Sequence, residues 1–163
     1  MYMSSVGKLR LQNREKKMMR YYDDLGKGKG SCTLGYGHKV HGKPCTAEEL
    51  ARKVTEEETM RNFDADVHAA ENAVNRNVKV SLTQEQFDAL VSYTFNRGAH
   101  GAHKAFALIN SGNLSGAAAE ISSHTTASGQ TRMGQASGLF ARRTEESAPF
   151  TNVANEQIRS AAK

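Results

Sequence analysis

Residues 15–41 read EKKMMRYYDDLGKGKGSCTLGYGHKVH, and the fold turns on how this stretch is read. Side chains alternate in character over Thr33–Val40, the pattern of a half-buried strand. A Gly-rich run, Leu25–Gly30, precedes it and supplies the backbone freedom of a turn. Together they predict a small antiparallel hairpin or meander. Immediately upstream, the spacing predicts a short helix over Ser5–Lys16, capped by Ser4 or Ser5, with Val6, Leu9 and Met18 turned inward.

Downstream the periodicity becomes helical. Thr46-Ala47-Glu48-Glu49 has the form of a capping box, and Leu50, Val54, Met60, Phe63, Val67, Ala70 and Val74 follow at helical spacing. Thr55-Glu56-Glu57-Glu58 predicts a break and a second start within that run. A further helix over Thr83–Asn96 places Phe87, Leu90, Val91, Thr94 and Phe95 on one stripe and stops at Gly98. Shorter helices are expected over His103–Asn110, Leu114–Ser122, Gly138–Glu146 and Thr151–Ala161, with Thr125–Ser137 as a loop. The predicted class is α+β: one domain over 1–163, with a first helix (1–14), a small β-lobe (about 15–45) and a larger helical lobe (46–163). A ligand cleft is expected between the lobes.

The chain has 163 residues and a net charge of +5, carried unevenly. Residues 1–45 hold ten Lys or Arg against three acidic residues. Such a surface attracts polyanions, or simply keeps the protein soluble. No run approaches the roughly 18 apolar residues of a membrane span. Met1–Arg10 also lacks the apolar core of a signal peptide, so an extracytoplasmic target would require delivery by another system or a carrier domain. Cys32 and Cys45 flank a loop-rich segment. Spacing alone leaves a disulfide and two reduced thiols equally open.

Glycoside hydrolysis needs an acid for the leaving oxygen and a second carboxylate for the water or the sugar. In the basic first third the acidic residues are Glu15, Asp23 and Asp24. Glu15 falls at the end of a predicted helix, where the macrodipole's negative end favours a carboxyl that keeps its proton. Arg14, Lys16, Lys17 and Arg20 act in the opposite sense if they point toward it.

Glu15, Tyr22, Asp24, Gly26 and Thr33-Leu34-Gly35-Tyr36-Gly37-His38 resemble the active-site signature of the phage-type lysozymes, glycoside hydrolase family 24. Leu82–Gly98 is similar to that family's central helix, and Gly138-Leu139-Phe140-Ala141-Arg142-Arg143-Thr144-Glu145-Glu146 to its late helix. The resemblance implies Glu15 as general acid, Asp24 as the water-polarising carboxylate and Thr33 as the residue positioning that water, with inversion. Asp23 is the fallback for Asp24 and should face the other side of the strand. Substrate contacts would come from Tyr22, Gly35, Tyr36, Gly37 and Asn96, and support from a His38–Asp66 pair joining the lobes and from Arg142. The residues themselves leave Gly35 and Gly37 readable as a tight bend, and Asn96 as a helix-terminal cap. Some family members carry a Cys pair like Cys32 and Cys45, which favours the disulfide and an oxidising compartment. This sequence departs from the family pattern in a longer Asp24–Thr33 spacing, in Lys16, and in Ser122–Thr126.

The implied partner is bacterial peptidoglycan, cleaved in the periplasm or on the cell wall by a monomer with no metal or other cofactor. Neither nucleic acid binding nor membrane insertion is expected. An immunity protein or a delivery apparatus would be a further partner. The rival readings are a lytic transglycosylase acting on the same bond and a non-catalytic basic polyanion-binding module. A metal enzyme built on His38/His41 or His100/His103 finds no Glu or Cys at suitable offsets.

Overall fold

The computed structural model describes residues 1–125 and 138–151. Element order is α1 (Ser5–Arg14), β1 (Met18–Asp23), β2 (Cys32–Gly35), β3 (His38–His41), α2 (Ala47–Ala51), α3 (Glu56–Asn77), α4 (Gln84–Asn110) and α5 (Leu114–Ser123). Residues 138–151 form a further helix, α6. The three strands make one antiparallel sheet in the order β1-β2-β3. The architecture is α+β, a small sheet accompanied by helices, as expected. No helix among the described residues is long and apolar enough to cross a membrane.

The chain forms two compact units: Lys8–Ala69, and Met1–Gly7 with Ala70–Lys163. In the first, Tyr21, Cys32, Leu34 and Val54 form a small core with Cys45 packed against it. A Cys32–Cys45 disulfide closes the segment between the sheet and α2, with a Cα–Cα distance of 4.5 Å. Closing a loop of this size stabilises by about 3 kcal/mol. Thr46 caps α2 in the expected box with Glu49. Thr55 Oγ1 accepts the Glu58 N–H at 3.1 Å, which starts α3 where the sequence breaks. Glu56, Glu57 and Glu58 then lie in that helix's first turn, complementing its dipole.

In the second unit α4 buries Phe87, Leu90, Val91 and Thr94 of the expected stripe, while Phe95, the fifth expected member, is only half-buried. The helix kinks at Gly98, whose φ of 72° and ψ of 163° are non-helical, and then continues through the predicted 103–110 helix. Arg142 and Arg143 of α6 are both buried, as is Glu146. Glu146 accepts Arg142 Nε at 2.8 Å, Ser92 Oγ at 2.6 Å and a close contact from Arg143 Nη1. Arg142 also donates to the Ser92 carbonyl at 2.9 Å. One carboxylate thus neutralises part of the charge of two buried guanidinium groups.

Three expectations need correction or fall elsewhere. Val6 and Leu9 are 67% and 58% exposed, whereas Gly7 and Leu11 are buried. The reason is the close packing of Gly7 on Asp88, where a Cβ would stand 2.5 Å from Oδ2. Leu50 is 46% exposed, because five-residue α2 is too short to present a continuous stripe. The predicted loop after Thr125 and most of the predicted 151–161 helix lie outside the described residues.

Glu146→Gln should destabilise the protein by about 3–5 kcal/mol, since it removes the negative charge that pairs with two buried guanidinium groups. Denaturant unfolding checks this, and a loss below about 1 kcal/mol would contradict the arrangement.

Candidate active site

Glu15 directly follows α1, and its N–H donates to the Leu11 carbonyl at 3.2 Å, completing the last turn. Its side chain is half-buried. Tyr22 and Thr33 are cross-strand partners on β1 and β2, so their side chains rise from the same face. Two extra residues on β1 between the Met18–Gly35 and Tyr22–Thr33 pairs break the ladder's register. Thr33 is buried, with Oγ1 donating to the Ser31 carbonyl at 3.3 Å.

The hairpin tip separates the two neighbouring aspartates. Asp24 Oδ1 accepts the Ser31 N–H at 2.7 Å, and the Asp24 N–H donates to the Ser31 carbonyl at 3.1 Å. Gly30 makes room for this: at φ +80° a Cβ would lie 2.0 Å from Asp24 Oδ1. Asp23 is occupied elsewhere. It accepts the Gly28 N–H at 2.6 Å through Oδ2 and the Cys45 N–H at 2.7 Å through Oδ1. These bonds, from Cys45 first and Gly28 second, hold its carboxyl below the usual range.

Tyr22 reports on both candidate acids. Its half-buried phenol is pushed above the ordinary tyrosine value by burial, then by the negative charge of Asp24, then by that of Glu15. Both carboxylates therefore bear on one hydroxyl, which also shares a strand face with Thr33. Such an arrangement can deliver a proton to one atom and hold a water near another.

The remaining candidates are placed as follows. Gly37 (φ +89°) lies in the β2–β3 turn, and Gly35 (φ +63°) is buried against Thr59. They form a tight bend rather than two positions on one open strand face. Tyr36 is buried, its ring centroid 5.0 Å from that of Phe63 and its hydroxyl accepting from Gln12 Nε2 at 2.9 Å. His38 Nδ1 lies 2.9 Å from Asp66 Oδ2, tying β3 to α3 inside the first unit. In the second unit, exposed Asn96 accepts a close hydrogen bond from Arg143 Nη2 through Oδ1, instead of capping its helix. Arg143 itself lies over the Tyr93 ring at 4.9 Å and donates to the His124 carbonyl at 2.9 Å. Gln12 has no signal in the sequence; Gly30 and Arg143 fall in the Gly-rich turn and the late-helix motif, but their particular contacts depend on loop shape and helix packing.

With this geometry in hand, comparison with known proteins assigns the family. The chain belongs to the phage lysozyme family, whose pattern matches residues 13–146. It is 36% identical to an endolysin of Bacillus phage PZA over 123 residues, covering 74% of this chain and 44% of that one. The chain thus spans less than half of that relative's length. An endolysin of Acyrthosiphon pisum secondary endosymbiont phage 1 is 30% identical over 155 residues, 94% of this chain and 100% of the other. Among solved structures, the muramidase domain of SpmX from Asticaccaulis excentricus superposes with a TM-score of 0.69 at 28% identity, covering 91% and 96% of the two chains.

Asp23 yields a pH prediction. Its carboxyl is depressed in the folded state, so its contribution is present above the unfolded value, about 3.9, and is lost as pH falls through the folded value. Wild-type stability should therefore drop more steeply below about pH 4 than that of Asp23→Asn. Thermal unfolding across acid pH reads the difference; parallel curves would sink the claim.

Proposed function

We propose that this protein hydrolyses the β-1,4 bond between N-acetylmuramic acid and N-acetylglucosamine in peptidoglycan. The observation that carries the reading is the placement of Glu15 at the end of α1 and of Asp24 at the end of β1, flanking Tyr22, which pairs with Thr33 on one strand face. Family membership supports it, as does the likeness to a protein described as a muramidase domain.

Glu15 gives its proton to the glycosidic oxygen as the bond to the sugar's anomeric carbon breaks. Asp24, fixed through one oxygen by Ser31, uses the other to orient a water and accept its proton, and Thr33 Oγ1 supplies a second contact to that water. Attack from the face opposite the leaving group inverts the anomeric centre. Tyr22 lines the sugar site. Gly35, Tyr36 and Gly37 shape the strand and turn that present it, and His38–Asp66 holds β3 on α3. Arg143 orients the Asn96 amide so that its NH₂ can donate to a saccharide oxygen, and Arg142 secures α6 behind it. The site of action is the cell wall, in an oxidising compartment where the Cys32–Cys45 bridge persists.

Glu15→Gln and Asp24→Asn should each slow clearing of cell-wall suspensions by about 100-fold or more while leaving the circular dichroism unchanged. Mass spectrometry of the released muropeptides should show reducing ends. Anhydro-sugar products would mean a transglycosylase, and full lytic activity in Glu15→Gln would remove the acid from the scheme.

A further inference from the structure

His41 stands across from Cys32 in the β2–β3 ladder. Its Nε2 is 3.0 Å from Glu49 Oε1, and the second Glu49 oxygen is 3.7 Å from Cys32 Sγ. One donor atom from each of the three residues lies within 4.8 Å of the other two, the only such group found among the described residues. The Cys45 sulfur is bonded to that of Cys32, so a fourth donor reaches the same point. Cys32, His41, Cys45 and Glu49 thus bring two sulfurs, an imidazole nitrogen and a carboxylate oxygen together from β2, β3, a loop and the first turn of α2.

While the sulfurs are bonded to each other they cannot serve as thiolates, the form that binds metal. Reduction changes the donor set. A dithiol cleaves the bridge by two exchanges and leaves as its own cyclic disulfide; a phosphine does the same and leaves as its oxide, with oxygen from water. Both routes yield two thiols, whose protons pass to solvent when a cation binds. Two thiolates, one imidazole and one carboxylate then form a four-coordinate set of the kind zinc accepts. Tetrahedral binding at about 2.3 Å per sulfur requires the sulfurs to part. Rotation about the Cys45 Cα–Cβ bond moves its sulfur while the backbone N–H stays on Asp23, and no helix or strand fixes this residue between β3 and α2.

We propose that Cys32, His41, Cys45 and Glu49 form a redox-gated site for a zinc-class divalent cation, closed by the disulfide and opened by its reduction. The ion takes over the disulfide's tether between the sheet and α2 under reducing conditions. The site is separate from Glu15 and Asp24 and does not depend on the hydrolase reading.

Titration of the full chain with Co²⁺ under anaerobic conditions tests it, comparing phosphine-reduced and oxidised protein. The reduced chain should bind one equivalent with thiolate-to-cobalt charge-transfer and tetrahedral d–d absorption, both abolished by Zn²⁺. The oxidised chain should show neither. His41→Ala should weaken binding by about tenfold or more and shift the d–d bands. If that variant fails to fold by circular dichroism, Glu49→Gln is read in the same way. Absence of the charge-transfer band in the reduced chain overturns the site. So does a band of equal affinity in the folded ligand variant, or in urea, because either means a bare cysteine pair.

Discussion

Two adjacent carboxylates at one hairpin tip take backbone N–H groups from different parts of the chain, and the candidate site depends on that division. Asp23 binds Gly28 and Cys45, joining the tip to the disulfide-bearing segment. Asp24 binds Ser31 across the hairpin. A carboxylate is well suited to this because charge-assisted bonds to N–H groups are stronger than neutral ones. Neither residue can exchange roles with the other without rebuilding the turn, and a side chain in place of Gly30 would collide with the Asp24 carboxylate.

The second unit solves a different problem, the burial of charge. Arg142, Arg143 and Glu146 are all buried, and the hydrogen bonds to Ser92, Asn96 and the His124 carbonyl satisfy several of the guanidinium donors. Ion clusters of this kind add little net stability over apolar packing but penalise partial loss heavily. The N-terminal segment is held in the same unit by polar contacts: Met3 N–H on Glu71 at 2.7 Å and Ser4 N–H on Asp88 at 2.9 Å.

Local chemistry made much of this legible beforehand. The Thr46, Thr55 and Thr83 starts, the Gly98 interruption and the antiparallel hairpin each depend on a few neighbouring residues, and the structure contains them all. The His38–Asp66 contact and the disulfide were reached by resemblance, since nothing in periodicity joins residues 28 or 13 positions apart. What failed was orientation on short helices. In α1 the packing is decided by an absent side chain, Gly7, so a hydrophobic wheel built on Val6 and Leu9 faces the wrong way. Hydrogen bonds from loop N–H groups were equally invisible: resemblance ranks Asp24 above Asp23, but which N–H groups each accepts emerges only with the shape of the tip. His41, Glu49 and the Cys pair become neighbours through strand pairing and the α2 cap, so their convergence had no signature in linear offsets.

The central claim is that Glu15 and Asp24 address one small volume, marked by the Tyr22 hydroxyl. Titration of the Tyr22 ring carbon by NMR in tyrosine-labelled protein measures this directly. The phenol should ionise above the ordinary tyrosine range, and both Glu15→Gln and Asp24→Asn should lower its midpoint. A Tyr22 midpoint unmoved by either neutralisation would mean that the carboxylates do not meet there.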